Sequence, residues 1–342
     1  MILGQVEIRC PLCRGELAEA QHRAASLRCG TCNRTYPVVL GIPDLRIFPD
    51  PYIDIEADRA KGQRLAERFH ELDFAGLVDF YYSLTPAVPA SQARQFKRGV
   101  LGGVTRAEAT LASWGSVAAE QGPPEHSSLL DLGCGTAPLL VAARSQYVPL
   151  VGVDIAFRWL VVGKKRLAEA GLDIPLVCAC AEALPFPDGV FDHVAGESVI
   201  ECVRDRARLL AEVYRVLRPG GRLALSTPNR FSLGPDPHAG LWAAGFLPER
   251  WVAAYLRRRG GVPPQRHLLS APALARLLRQ TGFVRRRLAL PHVTPGQRVH
   301  FRALENRLVD LYHMAKRLPL GRHLLYLIGP QLLATAEKDR TR

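Results

Sequence analysis

No apolar run in this 342-residue sequence approaches the roughly 20 residues that a helix needs to cross a bilayer, which excludes a spanning helix. The opening MILGQVEIRCPLC lacks the charged and apolar regions of a secretory signal, so the expectation is an unexported, cytoplasmic chain. Aromatics make up only 7%, and the arginines are not interleaved with them as in single-strand nucleic-acid binders. Acidic charge is scarce in one half alone. Residues 1–200 carry 19 Lys/Arg against 23 Asp/Glu, whereas residues 201–342 carry 26 against 9. A one-sided basic field suits an anionic partner (nucleic acid, a membrane surface or a phosphorylated acceptor) and equally a merely solvated surface.

The most informative stretch is LLDLGCGTAPLLVAARSQYVPLVGVD, Leu129 to Asp154. Leu129–Leu132 reads as a buried parallel strand, and Gly133 and Gly135 allow a tight turn with close approach of a ligand. Thr136 is the expected helix N-cap, with Pro138 tolerated in the first turn. Val151–Val153 forms the next strand. Asp154 ends it 19 residues after Gly135, where an acid can accept both hydroxyls of a ribose. A dinucleotide site wants a third glycine where Pro138 stands, so a nucleoside without phosphates fits better.

Further motifs follow: VDIA, CAEALPFPDGVFDHV and LLAEVYRVLRPGGRLALSTPN. With DLGCGTAP they resemble, in order and spacing, the motifs of class I S-adenosylmethionine (SAM)-dependent methyltransferases, over about Leu129 to Asn229. The resemblance implies a doubly wound α/β fold with a seven-stranded, mostly parallel sheet. It places Asp131, Gly133 and Gly135 around the methionine end of SAM, Asp154 at the ribose, and Ala181 and Glu182 beside the adenine; Cys134, at the cofactor turn, and Ile155 are further cofactor-binding candidates. It also implies that helices preceding the first strand form a lid. Ala137 replaces the usual third glycine, and Cys180 stands where an Asp often contacts adenine. After the fourth strand AGESVIEC lacks the Asn-Pro-Pro-aromatic motif used for exocyclic amines, which leaves O-, C- or other N-acceptors. Candidate bases are His238, in the loop PDPHAG, and Glu197, closely following the fourth strand.

Near the start, Cys10, Cys13, Cys29 and Cys32 form two C-x2-C pairs fifteen residues apart. This spacing satisfies a closed tetrahedral zinc site, and disulfides, the alternative, are disfavoured in a cytoplasmic chain. CPLCRGEL, RCGTCNRTYPV and GIPDL resemble the short zinc ribbons fused to, or partnering, methyltransferases. The expected organisation is a ribbon over 1–46, a linker and helical lid over 47–128, and a catalytic domain over 129–342 with insertions at about 228–268 and 292–326. The functional expectation is methylation of a small molecule, lipid or saccharide precursor. RNA is the alternative acceptor, and a non-catalytic SAM-binding partner protein the further one. Peripheral membrane contact is compatible with the basic insertions, and oligomeric state is not legible.

Overall fold

The computed structural model describes residues 1–20, 25–118, 126–234, 236, 240–293, 298 and 303–341. The N-terminal part is built from short strands: β1 (Ile2–Leu3) pairs with β2 (Val6–Glu7), and β3 (Leu17–Glu19), β4 (Ser26–Cys29), β5 (Thr35–Val39) and β6 (Ile42–Pro43) form a four-stranded antiparallel sheet. Leu40 and Gly41 both take positive φ between β5 and β6, as a two-residue hairpin turn requires.

Two helix pairs follow, α1 (Ile55–Glu67) with α2 (Phe74–Ser83), and α3 (Ala90–Leu101) with α4 (Gly103–Ala118). Asp54 and Asp73 cap the first pair by accepting from the backbone amides of Ala57 and Gly76. The large sheet then alternates strands and helices: β7 (Leu129–Leu132), α5 (Pro138–Ala143), β8 (Leu150–Asp154), α6 (Phe157–Glu169), β9 (Leu176–Cys178), β10 (Phe191–Glu197), α7 (Arg206–Val216) and β11 (Leu217–Pro228). An insertion carries α8 (Glu249–Arg258), and α9 (Ala271–Gln280) leads into β12 (Val284–Ala289). A second insertion carries α10 (Ala303–Arg317) and α11 (Pro319–Ile328) before β13 (Gln331–Glu337).

The strand order is β12-β13-β11-β10-β7-β8-β9, with β13 antiparallel to both neighbours. This is the expected seven-stranded, mostly parallel, doubly wound sheet. One buried cluster joins Leu130, Val194 and Leu225 to α7, α9 and the N-terminal strands, and the other packs Leu129, Leu140 and Leu160 against α1 and α2. The strand β11 begins at Leu217, directly after α7, and carries Pro219–Gly221 as an irregularity within the strand. No helix among the described residues is long and apolar enough to cross a membrane.

The N-terminal sheet also covers an edge. Asp44 bridges in parallel to Cys178, and the Leu45 amide donates to the Cys178 carbonyl at 2.7 Å, so unpaired groups of β9 are partly used up.

Candidate functional site

The chain leaves β7 through Gly133 (φ 74°) and Gly135 (φ 49°), and the amides of Gly133 and Cys134 donate to the Val153 carbonyl. A Cβ on Gly133 would stand 3.0 Å from the Val199 side chain, and one on Gly163 of α6 would stand 3.0 Å from the Gly135 carbonyl. The turn is therefore clamped from both sides. Ala137, not Thr136, precedes α5, at φ 60° and with no side-chain cap. Thr136 stays in the turn because its carbonyl and hydroxyl both accept from Arg166. The absent third glycine has a cost, since a left-handed backbone penalises a Cβ by about 1–2 kcal/mol.

Asp154 ends β8 with both oxygens engaged: the Gly135 amide donates to Oδ2 at 2.8 Å and the Ala156 amide to Oδ1 at 2.7 Å. Each oxygen retains acceptor capacity, so the carboxylate is held in one orientation with room for two hydroxyl donors. It faces a cavity of about 360 Å³ at the carboxyl ends of the central strands. Among the sequence candidates Gly133, Asp154, Ile155, Ala181 and Glu182 form its wall, whereas Asp131, Cys134 and Gly135 lie outside it. The Cys134 thiol is buried in the core, directly below Gly152, which removes it from the ligand side. Glu182 turns its carboxylate to the backbone amides of Arg204 and Asp205, just ahead of α7. The Cys180 thiol donates to the Phe48 carbonyl, which anchors the segment covering the cavity.

That cover is not the expected helical lid. No residue of α1–α4 is in the cavity wall, which is closed by Phe48–Tyr52 and by Trp159, itself stacked on Tyr81 at 4.1 Å. Residues 48–58, expected as a linker, are pinned by buried charge. Arg46 donates to Asp44 (2.7 Å), to Asp58 (2.6 Å) and to the Ile155 carbonyl (3.2 Å). Asp58 also accepts from the Phe157 amide and from Arg158, which reaches on to Asp50. The cluster ties the N-terminal unit to the loop after Asp154. The sequence expectation of a linker missed it because Arg158 lies about a hundred residues from Asp50 and Asp58.

Asp131 is buried, and its Oδ2 has no hydrogen-bond partner. Burial, with Glu197 and Asp154 nearby, pushes its carboxyl well above the usual range, and burial also raises Asp154 and Glu197. Glu197 ends β10 with its carboxylate near Arg106 and Thr110 of α4. His238 lies outside the described residues. His193 packs on Tyr147, and burial with Arg222 pushes it down to about 4, consistent with a structural role.

These raised carboxyls fix the sign of a pH dependence. A folded pKa above the unfolded one means stability present at low pH and lost as pH rises through the folded value. A cationic ligand beside these groups favours their charged forms, so its binding expels protons and strengthens as pH rises. Calorimetry in buffers of different ionisation enthalpy should therefore report net proton release on binding of a sulfonium ligand; proton uptake would contradict the assignment.

A second cavity, about 290 Å³, lies in the first insertion. Arg230, Arg250, Arg257 and Arg266 line it, with Arg266 paired to Asp236. Its Gln265 amide donates to the hydroxyl of Tyr52, so the two cavities share a boundary. Glu201, a buried carboxylate missed in the sequence, stands at the same boundary, accepting from Thr227 and, through its carbonyl, from the His267 amide.

At the N-terminus the sulfurs of Cys10, Cys13, Cys29 and Cys32 all lie within 4.8 Å of one another. The Cys10–Cys32 and Cys13–Cys29 separations are 3.7 and 3.4 Å, too long for disulfides. Four thiolates around zinc at ~2.3 Å would stand roughly 3.8 Å apart, so the donor set fits that metal.

The family model described as "Methyltransferase domain" matches residues 130–225. A demethylmenaquinone methyltransferase of Symbiobacterium thermophilum is 34% identical over 176 residues, which cover 47% of this chain and 69% of the relative. One of Listeria monocytogenes is 37% identical over 110 residues, covering 30% of this chain and 46% of the relative. The chain thus spans about two thirds of one curated relative and less than half of the other. Among solved structures, an S-adenosylmethionine-dependent methyltransferase of Mesorhizobium loti aligns with a TM-score of 0.46 at 20% identity, over 66% of this chain and 97% of that one.

Proposed function

Since the chain belongs to the SAM-dependent methyltransferases, we propose that it methylates a small apolar acceptor, with zinc closing its N-terminal ribbon. SAM bound here supplies an activated methyl carbon on a sulfonium, so the protein has mainly to align an acceptor. Asp154, oriented by the Gly135 and Ala156 amides, would hold the ribose hydroxyls. Asp131, with its unpartnered Oδ2 beneath the glycine turn, would face the cationic methionine end. Phe48–Tyr52 and Trp159 exclude water from the adenosine side. Ala181 and Glu182 line the adenine side.

The acceptor would approach from the first insertion, whose cavity adjoins the first one at Tyr52 and Gln265. For a hydroxyl-bearing acceptor, Glu197 is the assigned proton acceptor, because burial keeps its carboxyl poised above the usual range. His238 is the second candidate. The observation that carries the reading is the fixed Asp154 carboxylate at the mouth of the cavity. The names of the matched relatives, which state demethylmenaquinone as acceptor, support a small molecule rather than RNA.

Transfer of a radiolabelled methyl group in a cell extract tests the acceptor class. Label should partition into organic solvent and resist ribonuclease. Ribonuclease-sensitive label would replace this reading with an RNA methyltransferase.

A further inference from the structure

The helical hairpin α10–α11 is built inside out. The side chains that fasten it to the sheet are polar and half-buried: the Tyr312 hydroxyl donates to the Pro291 carbonyl, Lys316 to the carbonyls of Leu290 and Pro291, and the Tyr326 hydroxyl to the Leu288 carbonyl. Its leucines point the other way. Leu308, Leu311, Met314 and Leu318 recur at three- and four-residue steps and are 43–58% exposed. On α11, Leu320, Leu324 and Leu327 repeat the pattern, with Leu320 at 83%. A water-facing helix has the opposite arrangement.

The first insertion abuts this hairpin. The Asn229 side chain donates to the carbonyls of Tyr326 and Leu327, and the Leu233 amide donates to Ile328. Trp242, Phe246 and Trp251 are each more than half exposed there, and the Phe246 ring stacks on Phe231 at 5.1 Å. Of the eighteen large hydrophobic residues exposed among the described residues, thirteen belong to the two insertions. Residues 240–268 and 303–328 also hold nine Lys/Arg against three Asp/Glu, with Arg257, Arg258, Arg317 and Arg322 exposed.

We propose that the two insertions together form a docking face for an anionic lipid bilayer. Leucine stripes enter the acyl boundary, tryptophans sit at headgroup level, and the arginines meet acidic lipids. Charge complementarity selects this occupant. Apolar stripes alone would suit a second copy of the chain, but two copies would bring like-charged faces together; RNA would use the arginines and leave the leucines in water. The face also brings the second cavity, in the same insertion, to the surface where an apolar acceptor would dissolve. The proposal does not depend on that acceptor.

The test is cosedimentation of the full chain with vesicles of phosphatidylcholine alone and with added phosphatidylglycerol. Binding should be at least about tenfold tighter to the anionic vesicles and should weaken with salt. The double variant Leu320→Glu/Leu324→Glu should lose binding while keeping its SAM affinity and circular dichroism. Brominated lipid should quench tryptophan fluorescence in the parent chain, and less so in Trp242→Phe/Trp251→Phe. No binding to either vesicle overturns the proposal. So does salt-sensitive RNA binding that the double variant retains, or a concentration-dependent dimer that it abolishes without any vesicle binding.

Discussion

Replacing Asp58 by Ala should destabilise the protein by about 3–5 kcal/mol, because it removes the carboxylate shared by two buried guanidinium groups and leaves Arg46 with Asp44 and Arg158 with the longer, 3.5 Å contact to Asp50. Asp58 is fully buried and accepts from Arg46 and Arg158 at 2.6 Å each, and from the Phe157 amide at 2.8 Å. The complete cluster earns little net stability over a well-packed apolar core, since desolvation offsets attraction; an incomplete one is costly. A midpoint drop of about 4–7 °C follows for a chain of this size. The contrast is Asp54→Ala, which removes an exposed helix cap and should cost only about 1 kcal/mol. Thermal unfolding of the two variants side by side measures the difference. Equal, small effects would mean that residues 44–58 are held by something other than buried charge.

With zinc in the four-cysteine site, as proposed, its removal should have the second large effect. The ribbon's strands are two to five residues long, too short to hold a sheet unaided. In isolated zinc fingers the metal contributes roughly 10–16 kcal/mol, which is then folding energy. Chelation should therefore melt the ribbon, and the effect should travel. Arg46 ends the ribbon and holds both Asp58 and the Ile155 carbonyl beside the cavity. Arg14 of the first knuckle also reaches Asp188 and Glu212 of the catalytic part. Metal analysis should give one zinc per chain, and Cys29→Ser should lower both zinc content and SAM affinity. Full SAM affinity in zinc-free protein would show that the ribbon only decorates the catalytic domain.

What was legible in the sequence was local. Gly133 and Gly135 announce left-handed turns because few other residues adopt them, and Asp154 announces itself by ending a short apolar strand. The order of the sheet was what the resemblance to methyltransferase motifs implied, and the four-cysteine cluster followed from metal-ligand spacing. The misreadings share one cause, namely partners distant in the chain. Thr136 looked like a cap until Arg166, thirty residues on, claimed its oxygens. Asp50 and Asp58 fell in an expected linker because Arg158 is remote. The cover over the cavity was assigned to helices, although Phe48–Tyr52 provides it, tethered by Cys180 and by Arg204, whose side chain donates to the Pro49 carbonyl. The excess of arginine was visible as charge, but only the structure shows it beside outward-facing leucines.

The most direct test of the central claim is calorimetric titration of SAM into the zinc-loaded protein, with Asp154→Ala alongside. One site per chain is expected, with affinity that rises with pH and with binding lost in a variant that keeps its fold and its zinc. Undiminished binding to Asp154→Ala, or none to the parent chain, would contradict it.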